Sequence, residues 1–283
     1  MTIAIVGPTG VGKTKLSIAL AKKYKAIIIN ADAVQVYKEL NIGSAKPTEE
    51  EKEGLPHYLF DIKSITEDYT VKDYQKDLRN LLDKYKNQNI IIVGGTGLYL
   101  SAGLYDYQFD DEKNNDNYDN LTTEELYELA KKKDSKLDID KNNKVRLIRF
   151  LRREKEQHSG NKLLYDVTFI GLTLERSKLY EIINNRVDKM ISNGLIEEVK
   201  SLKKYENSSR VLNSAIGYKE ILMYLNQDIS KEEAIDLIKK NSRHYAKRQY
   251  TWFNNKMNIT WFNVNLEDFS KTIAKIEDFL DHI

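Results

Sequence analysis

The stretch Gly7-Pro8-Thr9-Gly10-Val11-Gly12-Lys13-Thr14 has the spacing G-x-x-x-x-G-K-[ST], which demands a strand, a tight anion-binding turn and a helix in immediate succession. The flanks agree. Residues 2–6 (T-I-A-I-V) form an apolar run suited to a buried strand, and residues 15–23 (K-L-S-I-A-L-A-K-K) suit the helix that follows. In this setting backbone N–H groups turn inward on phosphate oxygens at a helix N-terminus. Lys13 supplies a point charge, and the Thr14 hydroxyl is a ligand for Mg²⁺. Gly7, Pro8, Thr9, Gly10, Val11, Gly12, Lys13 and Thr14 are thus the expected phosphate-binding residues. The motif requires a di- or triphosphate without saying which one.

Further short apolar runs lie at residues 26–29, 90–93 and 167–174, with a short candidate strand at 259–264. Continuous apolar runs separated by helical segments predict an α/β fold, a phosphate-loop-type parallel sheet with helices on both faces. Such sheets bind ligands at the carboxyl ends of their strands. That rule gathers the phosphate loop, Asp32 after the second run and Thr96 after the third at one rim. Between residues 105 and 160 the sheet pattern breaks into a polar, acidic, Asn-rich stretch and then helical patterns, with Thr122 a candidate N-cap. The expected organisation is a core of residues 1–104 and 161–283, with a small, mostly helical insertion at 105–160.

Composition removes several function classes. With 45 basic and 43 acidic residues in 283, bulk charge does not point to nucleic acid, so any such contact must come from local clusters. Residues 141–155 and 239–248 are such clusters. The absence of cysteine excludes disulfides and cysteine-ligated zinc. No apolar run approaches the roughly 20 residues of a membrane span, and the N-terminus does not resemble a signal peptide. A cytoplasmic protein, not attached to a membrane, is expected.

Each candidate side chain has a bland alternative. Asp32 suits a general base or a water-mediated Mg²⁺ contact, and equally a loop cap. Gln35 suits the polar edge of a base. In Gly94-Gly95-Thr96-Gly97 the glycines expose N–H groups and Thr96 offers a hydroxyl, or the four simply form a strand-to-helix turn. Arg186 suits a clamp on diphosphate, because a guanidinium fork matches phosphate oxygens, or a solvated helix face. Arg243, Lys247 and Arg248, followed by Trp252-Phe253, suit a strip that grips an RNA backbone and stacks on bases, or a solvated basic helix. Arg146 and Arg149 share one helix face, which Arg153 continues, and the same two alternatives apply to Arg152. The 90–93 run lacks the terminal aspartate that phosphate-loop ATPases use with Mg²⁺, which counts against the alternative of a small-molecule kinase using ATP.

Taken in order, these blocks resemble the tRNA dimethylallyltransferase (bacterial tRNA isopentenyltransferase) family. They are G-P-T-G-V-G-K-T, A-D-A-V-Q-V-Y-K-E-L-N-I-G-S-A-K-P from Ala31, P-H-Y-L-F-D-I from Pro56 and V-G-G-T-G-L-Y from Val93. R-V-D-K-M-I-S-N-G-L-I-E-E-V from Arg186, A-I-G-Y-K-E from Ala215 and Y-A-K-R-Q-Y-T-W-F from Tyr245 complete the series. The resemblance covers nearly the whole chain. It implies transfer of a dimethylallyl group from dimethylallyl diphosphate to N6 of the adenosine on the 3′ side of the tRNA anticodon, with Mg²⁺, by a monomer. It further implies that Lys13 and Thr14 hold the diphosphate, with Thr14 at the metal. Asp32 is then the general base, and Asp32, Ala33, Val34 and Gln35 contact a flipped-out base, since enzymes acting on a base extract it from its stack. Thr96 lies at the reaction channel, touching the bridging oxygen or tRNA. Arg186 stabilises the leaving diphosphate, and Arg146 and Arg149 match a basic tRNA-contact segment.

Departures from the family pattern accompany the match. The family usually has serine where this chain has Asn30 and Ala33, so a hydroxyl beside the base is missing. Its His-Pro before Asn-Asn is here Asp140-Lys141, and the insertion is shorter and acidic in its first half. A reduced grip on the anticodon stem is expected.

Overall fold

The computed structural model describes residues 1–109, 118–135, 137–152 and 162–282. Arg153 and residues 110–117 of the acidic run lie outside the described residues.

Six strands form one all-parallel sheet: β1 (Thr2–Val6), β2 (Ile27–Asn30), β3 (His57–Tyr58), β4 (Ile90–Val93), β5 (Thr168–Thr173) and β6 (Thr260–Asn263). Their order across the sheet is β3-β2-β4-β1-β5-β6. Ala4 pairs with Ile92 of β4 on one side and with Phe169 of β5 on the other, so the strand ends are level. The five expected strands are present within a residue or two of their expected bounds. The two-residue β3 is an addition; a run that short has no period to detect.

Alternation along the strands explains why the runs are apolar throughout. Ile3, Ile5, Ile28 and Ile91 face one layer, with Leu16 and Leu20 of α1 (Lys13–Tyr24) and Ile276 and Leu280 of α11 (Phe269–Asp281). Ala4, Val6, Ile29 and Ile92 face the other layer. That second layer holds side chains from α3 (Val71–Lys84), α4 (Gly97–Leu104), α7 (Arg176–Ser192), α8 (Leu195–Leu202), α9 (Tyr218–Leu225) and α10 (Lys231–Lys256). The single-turn α2 (Glu49–Lys52) carries no buried residue. No helix among the described residues is long and apolar enough to cross a membrane.

The helix starts are written in the chain. Thr70, Ser230 and Thr122 each accept the backbone N–H three residues on, while the acidic residue there reaches back to the cap. The chain divides into two compact units, Met1–Tyr105 with Leu163–Ile283, and Asp106–Lys162. The second contains α5 (Thr123–Lys133) and α6 (Lys144–Arg152), closed on a small core of Leu126, Ala130, Leu147 and Leu151.

Candidate active site

The phosphate loop connects β1 directly to α1. Gly10 and Gly12 hold φ at 85° and 97°, in the left-handed region that a side chain resists. Lys13 folds back over the loop and donates to the carbonyls of Gly7 (3.0 Å) and Pro8 (2.8 Å). Burial, reinforced by the positive charge of Arg186 and opposed by Asp32, lowers the Lys13 pKa to about 7. Thr14 stands exposed on the first turn of α1. The Val11 side chain lies 2% exposed in the core between the sheet and α1, which leaves its backbone as the part available to a ligand.

The next rim segment follows β2, which ends at Asn30 rather than running to Asp32. Asp32 caps its own loop, Oδ1 accepting from Val34 N–H (2.9 Å) and Gln35 N–H (3.4 Å). The residue is held from behind by Asn30, which is 1% exposed. Asn30 accepts the Asp32 N–H (2.9 Å) and donates to the carbonyls of Asp32 (3.1 Å) and Leu59 (3.0 Å). The departure at Asn30 thus replaces an expected hydroxyl with a carboxamide brace. Gln35, expected at a base edge, uses its amide nitrogen on the carbonyls of Ser44 (3.0 Å) and Ala45 (3.2 Å).

Of the two readings open for the turn after β4, the bonds of its backbone agree with a strand-to-helix turn. Gly94 N–H donates to Ile5 and Thr96 N–H to Ala31, so these amides are not aimed at an anion. A Cβ on Gly95 would lie 2.1 Å from Nε2 of Gln249, and one on Gly97 would lie 2.1 Å from Cδ1 of Trp252. Glycine is required here because α10 packs directly on the turn. The Thr96 hydroxyl accepts the N–H of Ala33 (3.1 Å), which binds this turn to the Asp32 loop.

Two helices close the site. From α7, half-buried Arg186 donates through Nη1 to Oγ1 of Thr9 (3.2 Å). Its pKa is lowered by burial, against the favourable charges of Asp32 and Glu51. From α10, Gln249 bonds both the phosphate loop and the glycine turn, accepting Thr9 N–H and donating to Gly95 O, each at 3.0 Å. Tyr245 lies one turn earlier, against Thr96 and Gln249. Burial and the charge of Asp32 push its pKa up to about 12, which keeps the phenol neutral. Tyr245 and Gln249 were visible in the sequence only as members of a basic, aromatic helix.

A cavity of about 740 Å³ draws these groups together, with Lys13, Thr14, Asp32, Arg186, Tyr245 and Gln249 in its wall. Cationic groups and loop amides lie beside a carboxylate in one enclosure, an arrangement suited to holding an anion while a proton leaves a neighbouring group. His57 and Phe60 line it as well, from a segment that sequence inspection marked only as a recurring block.

Comparison with known proteins decides the family. A family model described as IPP transferase matches residues 35–256. The tRNA dimethylallyltransferase of Anoxybacillus flavithermus is 45% identical over 299 aligned residues, covering 99% of this chain and 96% of that protein. The chain belongs to the IPP transferase family. Among solved members, the full-length tRNA isopentenylpyrophosphate transferase of Bacillus halodurans superposes with a TM-score of 0.78 at 40% identity, covering 99% of this chain and 95% of that one. A eukaryotic dimethylallyltransferase described as acting on tRNA superposes at 0.82 and 27% identity, covering 99% and 79%.

For an IPP transferase the donor set bears on the metal. Among the described residues no group of three or more His, Asp or Glu side chains could hold an ion. A divalent cation here would need ligands from outside the protein, with Thr14 as the protein hydroxyl at hand.

The basic residues divide. On α10, Lys247 and Arg248 are exposed, whereas Arg243 is half-buried and uses Nη1 on Asn184 Oδ1 at 2.6 Å beside the Tyr180 ring. On α6 of the second unit, Arg146 and Arg149 are exposed on the face opposite Leu147 and Leu151, and Arg152 pairs with Asp119 at 3.5 Å.

Proposed function

We propose that this protein transfers the dimethylallyl group of dimethylallyl diphosphate to N6 of adenosine 37 of tRNA, on the 3′ side of the anticodon, releasing diphosphate. The observation that carries this is the joining of Lys13, Thr14 and Arg186 to Asp32 in one cavity. The C1–O bond of the donor breaks and a C1–N6 bond forms. Negative charge grows on the diphosphate, and the loop amides, Lys13 and Arg186 stabilise it. Thr14 would help to hold Mg²⁺, which when bound would supply further charge neutralisation to the same leaving group. The exocyclic amine is a poor nucleophile until it loses a proton, which Asp32 accepts. Thr96 fixes the Asp32 loop through Ala33 while bordering the channel, and Ala33, Val34 and Gln35 border the extruded base.

Exposed Lys247 and Arg248, together with Arg146 and Arg149, supply the phosphate contacts that hold the anticodon arm. In this reading the protein acts as a monomer.

The test is incubation of the protein with unmodified tRNA and labelled dimethylallyl diphosphate, with labelled ATP as control. Label in N6-dimethylallyladenosine after nuclease digestion is the expected result. No label in tRNA, with phosphate transfer from ATP, overturns the proposal.

A further inference from the structure

Thr9 and Gly95 are brought into one hydrogen-bonded unit by a residue far from both in sequence. The Gln249 side chain is 4% exposed and uses both ends of its carboxamide, Oε1 on Thr9 N–H and Nε2 on Gly95 O. The absent side chain of Gly95 is what admits it, since a Cβ there would lie 2.1 Å from Nε2. Thr9 carries the connection onward, because its hydroxyl accepts from Arg186. Gly95 carries it the other way, to Thr96 and so to Ala33 beside Asp32. The helix that supplies Gln249 inwardly also presents Lys247 and Arg248 to solvent.

We propose that Gln249 is a positioning residue that holds the Thr9 peptide and the Gly95–Thr96 turn at one separation, thereby aligning the diphosphate side of the cavity with the carboxylate side. The inference rests on the transfer reaction proposed above. Gln249 touches neither reacting group. Its removal frees the Thr9 peptide to rotate, and with it the anchor of Arg186, while Lys13 keeps its own bonds to the loop carbonyls. Misalignment therefore costs rate more than affinity, and a displacement of about 1 Å can lower a rate roughly 100-fold.

Two substitutions separate positioning from bulk packing. Gln249→Met keeps the length and loses both hydrogen bonds. Gln249→Glu keeps the acceptor for Thr9 and loses the donor to Gly95 until the carboxyl is protonated. For Gln249→Met we expect kcat to fall about 100-fold, with KM for dimethylallyl diphosphate and for tRNA within about threefold. For Gln249→Glu we expect a loss of about tenfold at pH 8, with the ratio to wild type recovering toward pH 6 as the donor is restored. Lys13, Asp32, Arg186 and Tyr245 face the same cavity in both proteins, so the ratio isolates position 249. Gly95→Ala, which pushes Nε2 aside from the opposite direction, should reproduce the kcat loss.

Unchanged kcat in both variants at position 249 overturns the proposal. So does a rise in KM alone, or a loss in Gln249→Glu that is constant with pH. Should Gln249→Met fail to fold by circular dichroism, the pH ratio of Gln249→Glu decides. A wild-type protein that prenylates no tRNA overturns the proposed reaction instead. Hydrogen exchange at the Thr9 amide then still tests the tether, being slow in wild type and fast in Gln249→Met, which removes its acceptor; equally slow exchange in both overturns the tether.

Discussion

Replacing Asn30 with alanine removes three hydrogen bonds from a site that is 1% exposed, two donated by its amide and one accepted from Asp32 N–H. A hydrogen bond of this kind contributes about 1 kcal/mol net, and each buried partner left unpaired costs about 1–3 kcal/mol. Relaxation toward the nearby cavity rehydrates some of those groups, so the expected loss is about 2–4 kcal/mol. For a chain of this size that lowers the melting temperature by roughly 3–7 °C. Urea denaturation followed by circular dichroism measures it, with an unchanged slope showing that the unfolded state is not what moved.

Side-chain chemistry at the same position sharpens the test. Asn30→Asp keeps the acceptor for Asp32 N–H but points a carboxylate at two carbonyl oxygens, so at pH 8 it should be less stable than the alanine variant. Asn30→Ser keeps a hydroxyl yet is too short to reach both Asp32 and Leu59, and should lie between wild type and alanine. Because Asn30 fixes the backbone of Asp32, kcat should fall in the same order as stability. A loss below about 0.5 kcal/mol in Asn30→Ala, the scale of an ordinary surface substitution, would refute the claim that this carboxamide braces the carboxylate loop.

Binding of dimethylallyl diphosphate at pH 8 should draw about 0.9 proton into Lys13, since a group with a pKa near 7 is mostly neutral there and the bound anion favours its charged form. Affinity should therefore weaken as pH rises above 7. Calorimetry in two buffers of different ionisation enthalpy reads the uptake, which should shrink toward zero below pH 6 and vanish in Lys13→Met. Asp32→Ala should abolish turnover with tRNA binding largely kept, and Arg186→Ala should lower kcat more than diphosphate affinity; filter binding and single-turnover kinetics separate the two. Among the described residues the Tyr74 hydroxyl is buried without a partner, its ring stacked 4.1 Å from Tyr99, so Tyr74→Phe should leave stability equal or raise it by about 1 kcal/mol in the same urea assay.

What was legible in the sequence, and what was not, follows from how far each cause lies from its effect along the chain. The phosphate loop is legible because a turn around an anion is a local matter, with glycine, lysine and threonine all within eight residues. The parallel sheet is legible because strands covered on both faces must be apolar at every position, and its rim follows from topology without any distance. Asn30 defeats the same approach: seen alone it is a missing hydroxyl, and its function as a brace depends on Leu59, 29 residues away. Gly95 and Gly97 show why. Glycine is selected either for what its backbone can do or for what must fit against it, and the sequence of the turn is the same in both cases. Only the arrival of Gln249 and Trp252, more than 150 residues later, distinguishes them. The same helix therefore links two local motifs. It bonds the phosphate loop and the turn after β4 together, at a rim where the neighbouring strands β1, β4 and β2 already set both beside the carboxylate loop.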